Sequence, residues 1–269
     1  MNTLQLYTWN VLSSNKYVNI MTWKKCSGAK QLSKLDYARS KHRQNIQLQI
    51  IIHWLKDINV IICLQEVDKQ LLEKLLHLTN VEVFYTKHKK FFEKESQLVT
   101  LVKGYSCTNI EIDIHDRSIM KTTLNNDTDI FNVHLYWKWD ILEINKIAKL
   151  IENTCQVKFI ICGDMNKTRD ELYEFLEIIP CIHLFNEKGY TSIFNLKKLY
   201  IDHIFVSSSL KPIKDPKLIR KMGKYKLLYN IEKICSLFNA NRLTLNNWIN
   251  KRKYNDISDH IPIYIRINN

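Results

Sequence analysis

Two short apolar runs constrain this chain more than anything else in it. Ile58–Leu64 and Val157–Cys162 are rich in branched residues, and each is followed within two residues by a carboxylate, Glu66 and Asp164. Such runs read as strands buried on both faces, so something must cover each side of the sheets they form. Polar residues recur at the ends of the other apolar runs. Asn10 ends the first one, and His134 sits in Asn132-Val133-His134-Leu135. Asp202 and His203 interrupt Tyr200–Val206, and Asp259 and His260 precede Ile261–Ile267.

The rest of the pattern alternates strands with helices. Leu4–Leu12, Val81–Tyr85, Gln97–Val102, Thr108–Ile114, Ile119–Leu124, Ile130–Tyr136, Tyr200–Ser207 and Ile261–Ile267 read as further strands. A helix is expected from about Tyr37 to Lys56, its apolar stripe made by Leu48, Ile51, Ile52 and Leu55. Asp68 is placed to cap a second helix carrying Leu71, Leu72, Leu75 and Leu76. Asp140 with Glu143, and Thr168 with Glu171, have capping-box spacing ahead of two more. Lys211–Asn255 is expected to be partly helical through Ile231, Ile234, Cys235 and Phe238. Strands outnumber helices in both halves. Two stacked sheets with helices outside would bury that many strand faces, whereas one sheet would be very wide; the alternative from pattern alone is an ordinary doubly wound sheet. At 269 residues without repeat or linker, one domain over 1–269 is expected.

Charge narrows the partners. Lys and Arg number 40 against 27 Asp and Glu, a net of +13, which favours polyanions: nucleic acid first, anionic membrane second. No apolar run approaches a membrane span, and Met1-Asn2-Thr3-Leu4-Gln5 lacks the basic start and apolar core of a signal peptide. The seven cysteines are scattered without C-x-x-C spacing and read as reduced thiols, so an intracellular, cytoplasmic chain is expected.

Each strand-end polar residue has a bland reading: Asn10 could close a turn, Asp164 could cap a helix, and His134 could be a satisfied histidine. Together they fit that reading poorly. Glu66, Asp164, Asp202 and Asp259 converging at strand ends would repel one another without a cation. Hard oxygen ligands with no cysteine–histidine pattern suit Mg2+, with Mn2+ as the substitute.

In order along the chain stand Thr8-Trp9-Asn10-Val11-Leu12, Leu64-Gln65-Glu66-Val67, His134-Leu135-Tyr136-Trp137, Gly163-Asp164-Met165-Asn166, Ile201-Asp202-His203-Ile204-Phe205 and Ser258-Asp259-His260. This series resembles the endonuclease/exonuclease/phosphatase superfamily of metal-dependent phosphodiesterases. The resemblance implies an α/β, four-layered sandwich of two packed mixed β-sheets flanked by helices, with the site at one edge of the paired sheets. Asn10-Val11-Leu12-Ser13-Ser14-Asn15-Lys16-Tyr17 is similar to the start of the deadenylase, nocturnin-like branch. Apurinic-site endonucleases usually carry an acid where this chain has Leu12, and inositol polyphosphate phosphatases a Trp-x-Asp-Arg where it has Tyr200-Ile201-Asp202-His203. The deadenylase Asp-Gly block is replaced by Glu95-Ser96-Gln97-Leu98.

What the resemblance implies is hydrolysis of a phosphodiester by in-line water. Glu66 is then the first metal ligand, with Asn10, Asp164 and Asp259 holding the same or a second ion. Asp164 would orient or deprotonate the water, and Asn166 and His134 would donate to phosphate oxygens. His260 would contact the scissile phosphate as an imidazolium oriented by Asp202. The expected substrate is nucleic acid, single-stranded RNA attacked from its 3′ end. The alternatives are 2′-5′ linkages, abasic DNA, another phosphatase activity, or an inactive nucleic-acid-binding module. Trp137 and Trp139 are candidates to stack a terminal base. The basic clusters around Lys87 (Lys87, Lys89, Lys90 and Lys94 about Phe91 and Phe92) and Lys221 (Lys211–Lys226) are candidates to meet phosphates.

Overall fold

The computed structural model describes residues 3–11, 43–86, 96–114, 117–184, 190–194, 197–222, 225–228, 256–258 and 260–268. Two sheets carry the fold. The first runs β13 (Lys211–Pro212), β18 (Ile263–Asn268), β1 (Thr3–Asn10), β2 (Val60–Asp68), β4 (Ser96–Lys103), β3 (Glu82–Tyr85), with β14 (Lys217–Leu218) also on β18. The second runs β5 (Cys107–Ile114), β6 (Arg117–Leu124), β7 (Thr128–His134), β8 (Lys158–Asp164), β12 (Asp202–Ser207), β9 (Cys181–Leu184). Both are mixed: β1–β2 and β7–β8 pair in parallel and their other neighbours antiparallel. Two small sheets are attached, β10 (Ser192–Phe194) with β11 (Lys197–Leu199), and β15 (Lys221–Met222) with β16 (Tyr225–Leu228) and β17 (Asp256–Ser258).

The strand pleat distributes the core. Leu4, Leu6, Ile61, Cys63, Ile130, Ile160, Cys162, Ile204, Val206, Ile263 and Ile265 meet between the sheets. Their sequence neighbours point outward. On the first sheet Tyr7, Trp9, Ile62 and Leu64 pack under α1 (43–54) and α2 (Lys69–Leu76). On the second, Phe131, Phe159, Ile161 and Phe205 pack under α3 (Ile141–Thr154) and α4 (Tyr173–Ile178). The four layers are therefore helix, sheet, sheet, helix, the sandwich expected from the sequence.

Local signals fared unevenly. Asp68 accepts from Leu71 N at 2.9 Å and Asp140 from Glu143 N at 3.0 Å, as capping residues should. The Thr168–Glu171 pair forms only half a box. Glu171 accepts from both Thr168 N and Oγ1, and a short 3-10 turn, Asp170–Leu172, precedes α4. In α1 the buried stripe is Ile46, Ile50, Ile51 and Trp54, whereas Ile52 is exposed. Leu76 of α2 is exposed as well. The start of the 211–255 segment contributes β13 to β16, and the helix expected at Ile231–Phe238 lies outside the described residues. No described helix is long and apolar enough to cross a membrane.

Candidate active site

The apolar layer between the sheets gives way to polar residues at one end. First comes a strut of amides. Gln65 Nε2 donates to Asn132 Oδ1 at 2.8 Å and to Thr8 Oγ1 at 3.1 Å, and Asn132 Nδ2 donates to Val99 O at 3.0 Å. These fully buried groups tie β1, β2, β4 and β7 together one step below the site.

Beyond the strut the same pleat delivers the candidate residues. Asn10 continues the inward row of Leu4 and Leu6, His134 that of Ile130, Asp164 that of Ile160 and Cys162, and Asp202 that of Ile204 and Val206. Glu66 has the wrong parity, because Ile62 and Leu64 face the helices. A bulge between Leu64 and Val67 corrects it, and Glu66 adopts φ 58° there. A left-handed conformation at a non-glycine residue costs roughly 1–2 kcal/mol. It swings the carboxylate inward, where Oε1 accepts from Asn10 Nδ2 at 3.0 Å.

Gly163 has its own requirement. Its φ is 140°, and a Cβ there would collide with the Val133 carbonyl. Only glycine lets β8 approach β7 closely enough to set His134 opposite Asp164.

The cluster is tight. Asn10 Nδ2 also donates to Asp164 Oδ2 at 2.9 Å. His134 Nε2 lies 3.5 Å from Glu66 Oε1 and 3.7 Å from Asp164 Oδ2. His260 Nδ1 is 2.8 Å from Asp202 Oδ2, and its Nε2 is 3.7 Å from Asp164 Oδ2. All six side chains are buried. Asp164 Oδ1 accepts from Asn166 N at 2.8 Å, closing a tight turn in which Asn166 has φ 51°. One hydrogen of the Asn166 amide goes to Leu135 O at 2.9 Å.

Sequence reading missed the frame around His260. Ser258 Oγ donates to Asn10 O at 2.6 Å and accepts from His260 N at 3.1 Å, while Trp9 Nε1 donates to His260 O at 3.2 Å. Thr191 Oγ1 accepts from Ile201 N and Asp202 N, and Ser192 bridges to His260. Nothing in the local pattern of Thr191-Ser192 marks that role; it comes from contacts across the fold.

Electrostatics fits a cation. Burial pushes the Asp164 carboxyl up to about 7; positive charge on His260 opposes this, and Asp202 and Glu66 add to it. Glu66, His134 and Asp164 offer ligand atoms within 4.8 Å of one another, as do Asp164, Asp202 and His260. Buried carboxylate oxygens and imidazole nitrogens set this close can hold a divalent ion, whereas Asn10, expected as a ligand, turns its amide nitrogen toward Glu66 and Asp164 and so braces the two carboxylates. Of the other candidates, Asp259 and Lys87 lie outside the described residues. Lys221 opens β15, its side chain outside what is described. Trp137 is 61% exposed beside the site, with Lys138 over its ring, whereas Trp139 packs on the core.

Residues 7–260 match the model of the Endonuclease/Exonuclease/phosphatase family. The chain is similar to D. rerio TDP2 complexed with single-strand DNA product, at 12% identity over 100% of each chain with a TM-score of 0.62. It is similar to ANGEL2, a 2′,3′-cyclic phosphatase, at 14% identity over 98% of this chain and 95% of that one, TM-score 0.62. It is also similar to the human Nocturnin catalytic domain with bound sulfate, at 13% identity over 99% and 93%, TM-score 0.61. At these identities the likeness carries the fold. No curated protein sequence matches the chain.

Proposed function

The chain belongs to the endonuclease/exonuclease/phosphatase family, whose members are hydrolases acting on phosphodiester bonds, and from that premise we propose that it is a Mg2+-dependent phosphodiesterase that shortens single-stranded RNA from the 3′ end. The observation that carries the reading is the junction of Asn10, Glu66, His134, Asp164, Asp202 and His260, drawn from both sheets into one buried cluster. A binding module has no need of three crowded carboxylates and two histidines.

Glu66 and Asp164, braced by the Asn10 amide, would hold the divalent ion, which supplies positive charge to the phosphate and leaving oxygens when bound. The chain's own groups do the rest. Asp164, fixed by Asn10 on one oxygen and by Asn166 N on the other, is oriented to accept a proton from the attacking water. Asp202 holds His260 by Nδ1, so that Nε2–H is presented to the scissile phosphate. His134 and the remaining amide hydrogen of Asn166 donate to non-bridging oxygens. Charge that develops on phosphate is thus met by donors already in place. Trp137 is exposed enough to stack the terminal base, and Lys87 and Lys221 belong to the basic segments that neutralise the following phosphates. TDP2 with its single-strand DNA product and ANGEL2 as a 2′,3′-cyclic phosphatase share the fold, which supports a nucleic-acid substrate.

The test is end-labelled poly(A), mixed RNA, 2′-5′ oligoadenylate and abasic DNA incubated with Mg2+, the protein and its Glu66→Gln variant. Stepwise 3′ shortening of the RNAs is expected, abolished by EDTA and lowered about 100-fold or more by the substitution. Full turnover in EDTA, or in Glu66→Gln, would refute the site. Cleavage confined to abasic DNA or to 2′-5′ linkages would refute the substrate.

A further inference from the structure

The outer edge of the first sheet carries cations that lie outside the buried cluster. β13 and β14 run antiparallel along β18, and register sets Lys211 opposite Asn268 and Lys217 opposite Tyr264. Paired residues of an antiparallel ladder share a face, so Lys211, Lys217 and Arg266 all project from the helix-side face of the sheet. There a cavity of about 280 Å³ is lined by Thr3, Gln5, Lys214, Lys217, Tyr264 and Arg266. Its floor is fixed: Arg266 Nε donates to the Tyr264 hydroxyl, which donates to Gln5 Oε1 at 2.9 Å. Lys211, Lys214, Lys217 and Arg266 are exposed, and the acids nearby are Asp215, which also lines the cavity, and Asp57, whose charge reaches Arg266.

The row does not stop at the cavity. Past Lys217 the chain continues toward the site, and Ile219 N donates to Pro262 O at 2.9 Å, two residues from His260. Arg220 then lies over the Tyr190 ring at 4.6 Å, and Tyr190 is two residues from Ser192, which bridges to His260. Along β18, Arg220, Lys217 and Lys211 therefore stand in that order, from the end beside the candidate catalytic histidine to the far end.

We propose that this edge is a phosphate track on which a single-stranded RNA lies as it leaves the site. Arg220 on Tyr190 takes the phosphate nearest the scissile bond, and Lys217, Lys214 and Arg266 take those further out. The inference rests on the nucleic-acid reading above and deepens it: it makes this edge the reason longer strands bind better than short ones. Backbone neutralisation of this kind carries no base preference.

The experiment measures binding of a fluorescein-labelled RNA 12-mer and trinucleotide by anisotropy in EDTA, across a salt titration. It compares the full chain, a Lys214→Gln/Lys217→Gln/Arg266→Gln variant, and a control that removes the same charge elsewhere, Lys69→Gln/Lys146→Gln/Lys149→Gln. The track variant should lose about tenfold or more in 12-mer affinity, with the slope of log K against log salt shallower by about 2, since each single-strand phosphate contact contributes about 0.7. The control should keep most of both. Wild-type affinity and slope in the track variant would overturn the proposal, as would an equal loss in the control. Hydrolysis of bis(p-nitrophenyl) phosphate reports on the site separately. If that substrate is untouched while 12-mer binding still depends on the three cations, the catalytic reading falls and the track stands.

Discussion

Asp202 and His203 are neighbours on β12, and the pleat sends them to opposite sides of the second sheet. Asp202 faces inward and holds His260 by Nδ1. His203 faces the helices, where its Nε2 donates to Lys167 O at 2.8 Å and its Nδ1 therefore accepts from His183 Nε2 at 2.9 Å. One histidine meets a carboxylate, which stabilises positive charge on the ring. The other meets a second imidazole and a carbonyl among Phe205 and Tyr200. Burial first, and the neighbouring ring second, drive the His203 pKa down to about 3. Burial, with Arg169 adding to it, drives His183 to about 4. The partner, rather than the residue type, decides which ring has its positive charge favoured and which is held neutral as a structural donor, since both histidines are buried.

That contrast can be broken from either side. The largest effect is expected from Asp202→Asn. The amide cannot support an imidazolium at His260, so RNA hydrolysis should fall about 100-fold or more, while the melting temperature at pH 7 shifts little. Loss of activity that merely tracks loss of fold would mean that Asp202 is structural.

His203→Phe should do the reverse, with turnover within a few-fold of wild type and an altered dependence of stability on pH. Because the folded-state pKa of His203 is depressed below the ordinary 6.5, the unfolded chain binds the extra proton. Stability is therefore complete above about pH 6.5 and falls as pH drops toward about 3. By pH 5 His203 alone accounts for about 2 kcal/mol. Denaturant titrations at pH 7 and pH 5 should show a smaller difference for His203→Phe than for wild type; an unchanged difference would remove His203 from the account. The smallest effect should come from Trp137→Ala, a KM increase worth about 1–2 kcal/mol with kcat nearly unchanged, read from initial rates on RNA. A KM that stays put would assign Trp137 no stacking role.

Much of the site could be read from the chain. Asn10, His134 and Asp164 lie in register with the inward apolar residues that precede them, and Asp202 with those that follow it, so strand periodicity alone points all four the same way. Glu66 does not obey that rule, and only the bulge places it. Thr191, Ser192 and Ser258, which hold Asp202 and His260, carry no local signal because their roles are contacts between distant segments. The stripe of α1 was legible in part: Ile51 and Leu55 are buried and Leu48 packs against the same core, Ile52 is exposed, and Trp54 joins the buried face by stacking on Tyr7 at 4.6 Å.

The sequence by itself determined which strand faces must be buried, through alternation and apolar runs, and its ordered motifs, by resemblance, pointed to two sheets packed between helices. It also determined which polar residues close those strands. Only the tertiary structure decided that Glu66 turns inward, that Asp202 takes one histidine and His203 another, and that β13 and β14 carry lysines along the edge beside β18. Periodicity is a property of neighbours in the chain, whereas a bulge, a hydrogen-bond partner and a sheet edge are settled by what the rest of the fold brings alongside.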